Sequence, residues 1–191
     1  YERCLELHEL THDDIQASFT WMNIATLYAD WKKHDKALLF ARKSVELAFR
    51  SNMDKDDVGR LLTNLGTVLF YNKQYAAARD TLRAAIPFIG DNAYQNYIND
   101  IALSGTYIHL NNADSAGYYL ENAGKLLAGN ENFPAYRFNK YKGLLLVNSQ
   151  SYGEAIPYLE SYPNDPKYSF TADDYEVINA LAKAYESGKK D

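Results

Sequence analysis

The sequence predicts an all-α chain, a solenoid of antiparallel helix hairpins, on three observations. An alanine recurs at nearly equal intervals, at Ala37, Ala78, Ala116 and Ala155. Nine positions before each stands a large apolar or aromatic side chain, Tyr28, Leu69, Tyr107 and Leu146, and Tyr185 continues that series one period further on. Four and seven positions after each alanine come Ala41 and Ser44, Leu82 and Ala85, Leu120 and Ala123, and Leu159 and Tyr162, the stripe of a helix that faces a core. Repetition at such a period makes each unit one supersecondary element that buries its apolar face by stacking on its neighbours.

Taken in order, residues 1–10 read as the last helix of a preceding repeat, and 11–52, 53–91, 92–130 and 131–168 as four repeats of two helices each. Residues 169–191 read as the first helix of a truncated repeat, and the whole as a single array. Thr11 with Asp14 and Thr171 with Asp174 have the Thr-x-x-acid form of a capping box, each beside an apolar pair at staple spacing, Leu10 with Ile15 and Phe170 with Tyr175. Both are expected to open a first helix. Gly90 and Gly129 stand where second helices should end in a left-handed cap, and Pro134 where a helix begins. Pro157 and Pro163 should leave the second helix of the fourth repeat short or kinked, because proline removes an intrahelical bond. Three positions before each large side chain of the series comes a small one, Ala25, Gly66, Ser104, Gly143 and Ala182. That spacing puts both on one helical face and lets the paired helix come close.

These residues resemble the tetratricopeptide repeat, whose pattern runs through a Trp or Leu, a Leu and Gly, a Tyr, an Ala, an aromatic or Leu, and a final Ala. The likeness is best in Leu65, Gly66, Tyr75, Ala78, Leu82 and Ala85, and in Trp21, Ile24, Ala25, Tyr28 and Ala37. The period is longer than the one usual for the family, as in its longer-helix variants. The resemblance implies a right-handed superhelical, α-α solenoid in which first helices line a concave groove that binds extended peptides. It does not imply a chaperone-tail clamp. The positions of that clamp hold Met22, Thr26, Asn64, Ile98 and Ala102, of which only Asn64 fits.

Composition limits the alternatives. A net charge of -5 and 47% hydrophobic residues describe an ordinary globular chain and disfavour a nucleic-acid partner, whose phosphates need clustered Lys and Arg. No run is apolar enough to span a membrane. The single Cys4 excludes an internal disulfide and leaves the compartment open, cytoplasmic or periplasmic. The chain begins at Tyr1 without a signal-like segment and is expected to be a piece of a longer protein.

One motif argues for chemistry. His8-Glu9-Leu10-Thr11-His12 is a literal H-E-x-x-H, in which two histidines on one helical face would hold zinc beside a glutamate base. If Thr11 is a helix cap, the helix is broken between the two histidines. The third ligand is also missing, since Ile15 and Ser18 occupy the places of the metzincin Gly and His. The reading is therefore a helix end and a loop histidine, with no metal, no cofactor and no enzymatic activity expected; a zinc enzyme through His8 and His12 is the remote alternative. Phosphate-cradling glycine loops are absent as well.

A protein or peptide partner remains. First-helix residues that point away from the hairpin stripe are Phe19, Met22, Asn23 and Thr26, then Arg60, Thr63, Asn64, Thr67 and Tyr71, then Ile98, Ile101, Gly105 and His109, then Arg137, Lys140, Tyr141, Leu144 and Asn148. Asn23, Arg60, Asn64, Tyr71, His109, Arg137 and Tyr141 are the candidate contacts. An amide at Asn23 or Asn64 can donate to and accept from a peptide backbone at once, and Tyr71 and Tyr141 offer a flat apolar body with a polar tip. The role expected is sensing or scaffolding within a longer regulator, with a free-standing adaptor or self-associating module as the alternative.

Overall fold

The computed structural model describes residues 3, 13–162 and 175–188. Every regular element among them is helical: α1 (Asp14–Asp30), α2 (His34–Arg50), α3 (Lys55–Tyr71), α4 (Tyr75–Ile89), α5 (Ala93–His109), α6 (Ala113–Ala128), α7 (Ala135–Asn148), α8 (Tyr152–Ser161) and α9 (Tyr175–Gly188). The chain divides into two compact units, residues 1–102 and 103–191, with the division inside α5. His8, His12, Cys4, Thr11, Pro163 and Thr171 lie outside the described residues.

In the first unit α1 packs on α2 and α3 on α4, and α3 also meets α2 and α1. Consecutive helices thus pair, as a helical repeat requires. The core joins Met22, Ala25, Ala37, Ala41, Leu61, Leu65, Leu69, Ala78, Ala85 and Ile89, all buried. Two buried polar contacts fix the register. Ser18 donates to the Ser44 carbonyl at 2.8 Å, tying α1 to α2, and Thr63 lies 3.2 Å from Asn99 Oδ1, tying α3 to α5. In the second unit α7 packs on α8, α6 on α7, and α9 on both α8 and α7. Tyr107 of α5 stacks on Tyr119 of α6 with ring centroids 5.6 Å apart.

The small residues do what their spacing predicts. A Cβ on Gly66 would lie 2.5 Å from Leu82 Cγ, and one on Gly143 would lie 2.4 Å from Leu159 Cδ2. Each glycine therefore seats a fully buried leucine of its partner helix.

The turns between paired helices share one geometry. Lys32, Lys73, Asn111 and Gln150 have φ of 59°, 59°, 55° and 63°, and each stands five positions before a repeat alanine. The amide after each donates back to the large residue of the series: Lys33 to Tyr28 at 2.8 Å, Gln74 to Leu69 at 2.9 Å, Asn112 to Tyr107 at 3.0 Å and Ser151 to Leu146 at 2.9 Å. This is the Schellman closure, which satisfies carbonyls left open at a helix end. The carbonyl of the residue that donates then accepts the alanine N–H, opening the second helix within the same turn.

Some ends differ from the sequence expectation. α1 is capped by Asp13, whose carboxylate accepts from Gln16 N at 3.0 Å; the cap falls two positions beyond Thr11 because an Asx side chain reaches the open amides from there. Gly129 has φ -89° and ψ -2°, a right-handed conformation, and the Asn130 side chain instead donates to Leu126 O at 2.8 Å. Gly90 has a positive φ, 58°, but ψ is -139°, so it too ends its helix outside the left-handed helical conformation. Pro134 is the cap of α7 rather than part of its first turn. α8, which contains Pro157, has 10 residues against 14 in α7.

Candidate partner-binding site

Residues projected from the first helices separate into two groups. Met22, Thr63, Ile101, Gly105 and Leu144 are buried, which corrects their expected place on an open groove. They lie on the flank that neighbouring helices cover: Met22 joins the first unit's core, and a Cβ on Gly105 would meet the Tyr141 ring at 2.5 Å.

The remaining candidates stay accessible. In the first unit Asn23 is exposed and Asn64 half-buried, each two positions before the small residue of its helix, Ala25 or Gly66. Neither amide has a hydrogen-bond partner among the described residues. Arg60 is held in place by Asp57 at 2.7 Å, and its guanidinium lies 4.8 Å from the centre of the Phe19 ring. An arginine so fixed has little freedom still to lose, and its ring partner is a flat apolar floor. Tyr71 is 50% exposed and meets Phe70 edge-on at 5.6 Å.

In the second unit, His109 Nε2 is 3.5 Å from Glu176 Oε1. Arg137 Nε donates to the Tyr136 hydroxyl at 3.1 Å, and Tyr141 is half-buried over Gly105. Lys140 Nζ sits 5.7 Å from the Tyr141 ring and 5.8 Å from that of Tyr162. Lys140, Tyr141 and Tyr162 thus form a basic and aromatic cluster.

The first unit also contains a feature that was not read from the sequence. The α1–α2 and α3–α4 turns border an open, shallow cleft of about 540 Å³ lined by Lys32, Lys33, His34, Asp35, Lys36, Tyr71, Asn72 and Lys73. Four lysines and one aspartate are among the lining residues, and the Lys36 ammonium lies 5.4 Å from the centre of the Tyr28 ring. The signal was present: Lys32 and Lys73 each stand five positions before an alanine of the series, so the repeat register places them at equivalent points of adjacent turns.

Among the described residues no three His, Cys, Asp or Glu side chains are grouped as metal ligands, and no helix is long and apolar enough to cross a membrane. Burial pushes the Asp100 carboxyl up to about 7.

Residues 20–50, spanning most of α1 and all of α2, match the tetratricopeptide repeat family. The chain thus carries a tetratricopeptide repeat, and with it a protein-interaction module. No curated protein matches the chain.

Proposed function

We propose that the chain binds a peptide segment of a partner protein on the first-helix face of α1 and α3, with Asn23 and Asn64 holding the peptide backbone and Arg60 on Phe19 forming the floor. The observation that carries this reading is the pair of accessible amides at one register of adjacent hairpins, neither of them engaged among the described residues. An extended peptide has backbone groups to satisfy at regular intervals, and an amide meets both kinds. His109, Arg137 and Tyr141 form the corresponding contact surface of the second unit. Sensing or scaffolding within a longer regulatory protein is part of the same proposal and rests on analogy of fold.

The test is a peptide-display selection on the wild-type protein, followed by affinity measurement on an Asn23→Ala, Asn64→Ala double variant. The selected peptides should bind the variant about tenfold or more weakly, with its helical circular dichroism unchanged. Equal affinity for both proteins would remove the first-helix face from the mechanism.

A further inference from the structure

The chain is acidic overall, with a net charge of -5, yet positive charge gathers at two of its four like-shaped turns. The first turn supplies Lys32, Lys33 and Lys36 to the cleft and the second supplies Lys73. The third turn, built on the same backbone, carries Asn111 and Asn112 followed by Asp114, and the fourth Gln150 and Ser151 followed by Glu154. Geometry alone does not call for lysine. The left-handed conformation is adopted more readily by asparagine than by lysine, and the third turn uses asparagine there. Asn112 also caps its helix through its side chain, accepting from Ser115 N at 2.9 Å, whereas Lys33 and Gln74 make no side-chain cap.

The first two turns thus hold lysine where the third, on the same backbone, holds asparagine. α2 begins in the cleft, with Lys33 as its cap residue and His34, Asp35 and Lys36 as its first turn, so the positive end of the helix dipole adds to the lysines. Asn72 Nδ2, in the cleft wall, is buried without a hydrogen-bond partner. A rotation of that amide would offer a donor to an incoming carboxylate. Tyr71 lines the same cleft and is also a candidate contact of the first-helix face, so the two surfaces are continuous at that residue.

We infer that the cleft takes an acidic stretch of the bound peptide, a run of glutamate or aspartate side chains. This inference rests on the peptide-binding reading above and names the partner's chemistry. The volume is within the range that holds small ligands, and charge complementarity selects among peptides and speeds their encounter.

Fluorescence anisotropy with labelled hexaglutamate and hexaglutamine tests it. Hexaglutamate should bind about tenfold more tightly at low salt, the difference shrinking as ionic strength rises. A Lys33→Asn, Lys73→Asn variant gives each turn one residue of the third, Asn112 for Lys33 and Asn111 for Lys73, so its melting temperature should not fall, while its affinity for hexaglutamate should drop about fivefold or more. A Lys55→Gln, Lys125→Gln variant loses the same charge elsewhere, Lys55 at the far end of α3 and Lys125 on α6, and should bind as wild type does. Equal binding of the two peptides, or equal weakening in both lysine variants, overturns the inference. Because the Asn23→Ala, Asn64→Ala variant keeps the cleft, loss of the acidic preference and failure of the first-helix face are read separately.

Discussion

The second and third hairpins follow one plan with different side chains, and the difference separates what the repeat needs from what it tolerates. In the second, Gly66 receives Leu82 and the Thr63 hydroxyl has an acceptor for its one proton, Gly59 O at 3.0 Å, with Asn99 Oδ1 at 3.2 Å. In the third, Ser104 stands at the glycine's place, fully buried, and its hydroxyl has no hydrogen-bond partner. An orphaned hydroxyl costs about 1–3 kcal/mol. The plan therefore demands a small side chain at this point and accepts an imperfect one.

The strongest way to break the comparison is to exchange packing between hairpins. Gly66→Ala would put a Cβ 2.5 Å from Leu82 Cγ and should cost about 1–3 kcal/mol despite the better helix propensity of alanine. Leu82→Ala empties a fully buried site and should cost about 2–5 kcal/mol. Together they recreate the alanine pair of the first hairpin, Ala25 and Ala41. The double variant should be more stable than the two losses predict by at least about 1 kcal/mol in chemical denaturation. Additive losses would mean that the two helices do not set their spacing through this contact.

A second difference lies in charge. The third hairpin carries Asp100 half-buried, with its carboxyl raised to about 7 by burial. Between the ordinary carboxylate range near pH 4 and about pH 7 the folded chain binds more protons at this group than the unfolded chain does. Its contribution to stability is therefore present at low pH and lost as pH rises through that window. Asp100→Asn should raise stability at pH 8 by on the order of 2 kcal/mol and flatten the stability profile between about pH 4 and about pH 7, as followed by urea denaturation at several pH values. A profile that keeps its slope in the variant would assign that slope to another group.

The parts of this fold legible in the sequence were those fixed within one hairpin. The alanine, the large residue nine before it and the small residue upstream of both are in contact or in hydrogen-bond register inside a single repeat, so their spacing survives as periodicity. The surface was less legible because it depends on neighbours. Met22, Thr63 and Leu144 have the helical phase of groove residues, but packing between successive elements covers that flank, and nothing in one helix announces it. The lysine cleft required two turns a full repeat apart in the chain to be set side by side. Helix ends were hardest, because Thr11 and Asp13 are both competent caps and only the backbone path chooses, and because Gly129 has a neighbour, Asn130, able to close the helix through its own side chain.

The finest test concerns the turns themselves. Lys73 and Asn111 occupy the same left-handed position of the second and third hairpins, at φ 59° and 55°. Glycine meets no Cβ clash there but adds freedom to the unfolded chain. Lysine should lose more from the clash than asparagine, whose short amide adapts to this region. Lys73→Gly should therefore stabilise by about 0.5–1 kcal/mol and Asn111→Gly by no more than a few tenths, measured as paired shifts in thermal melting. If both changes gave the same shift, the backbone conformation alone would set the energy of the turn. A larger gain at Lys73 would show that the second turn keeps its lysine at the expense of stability.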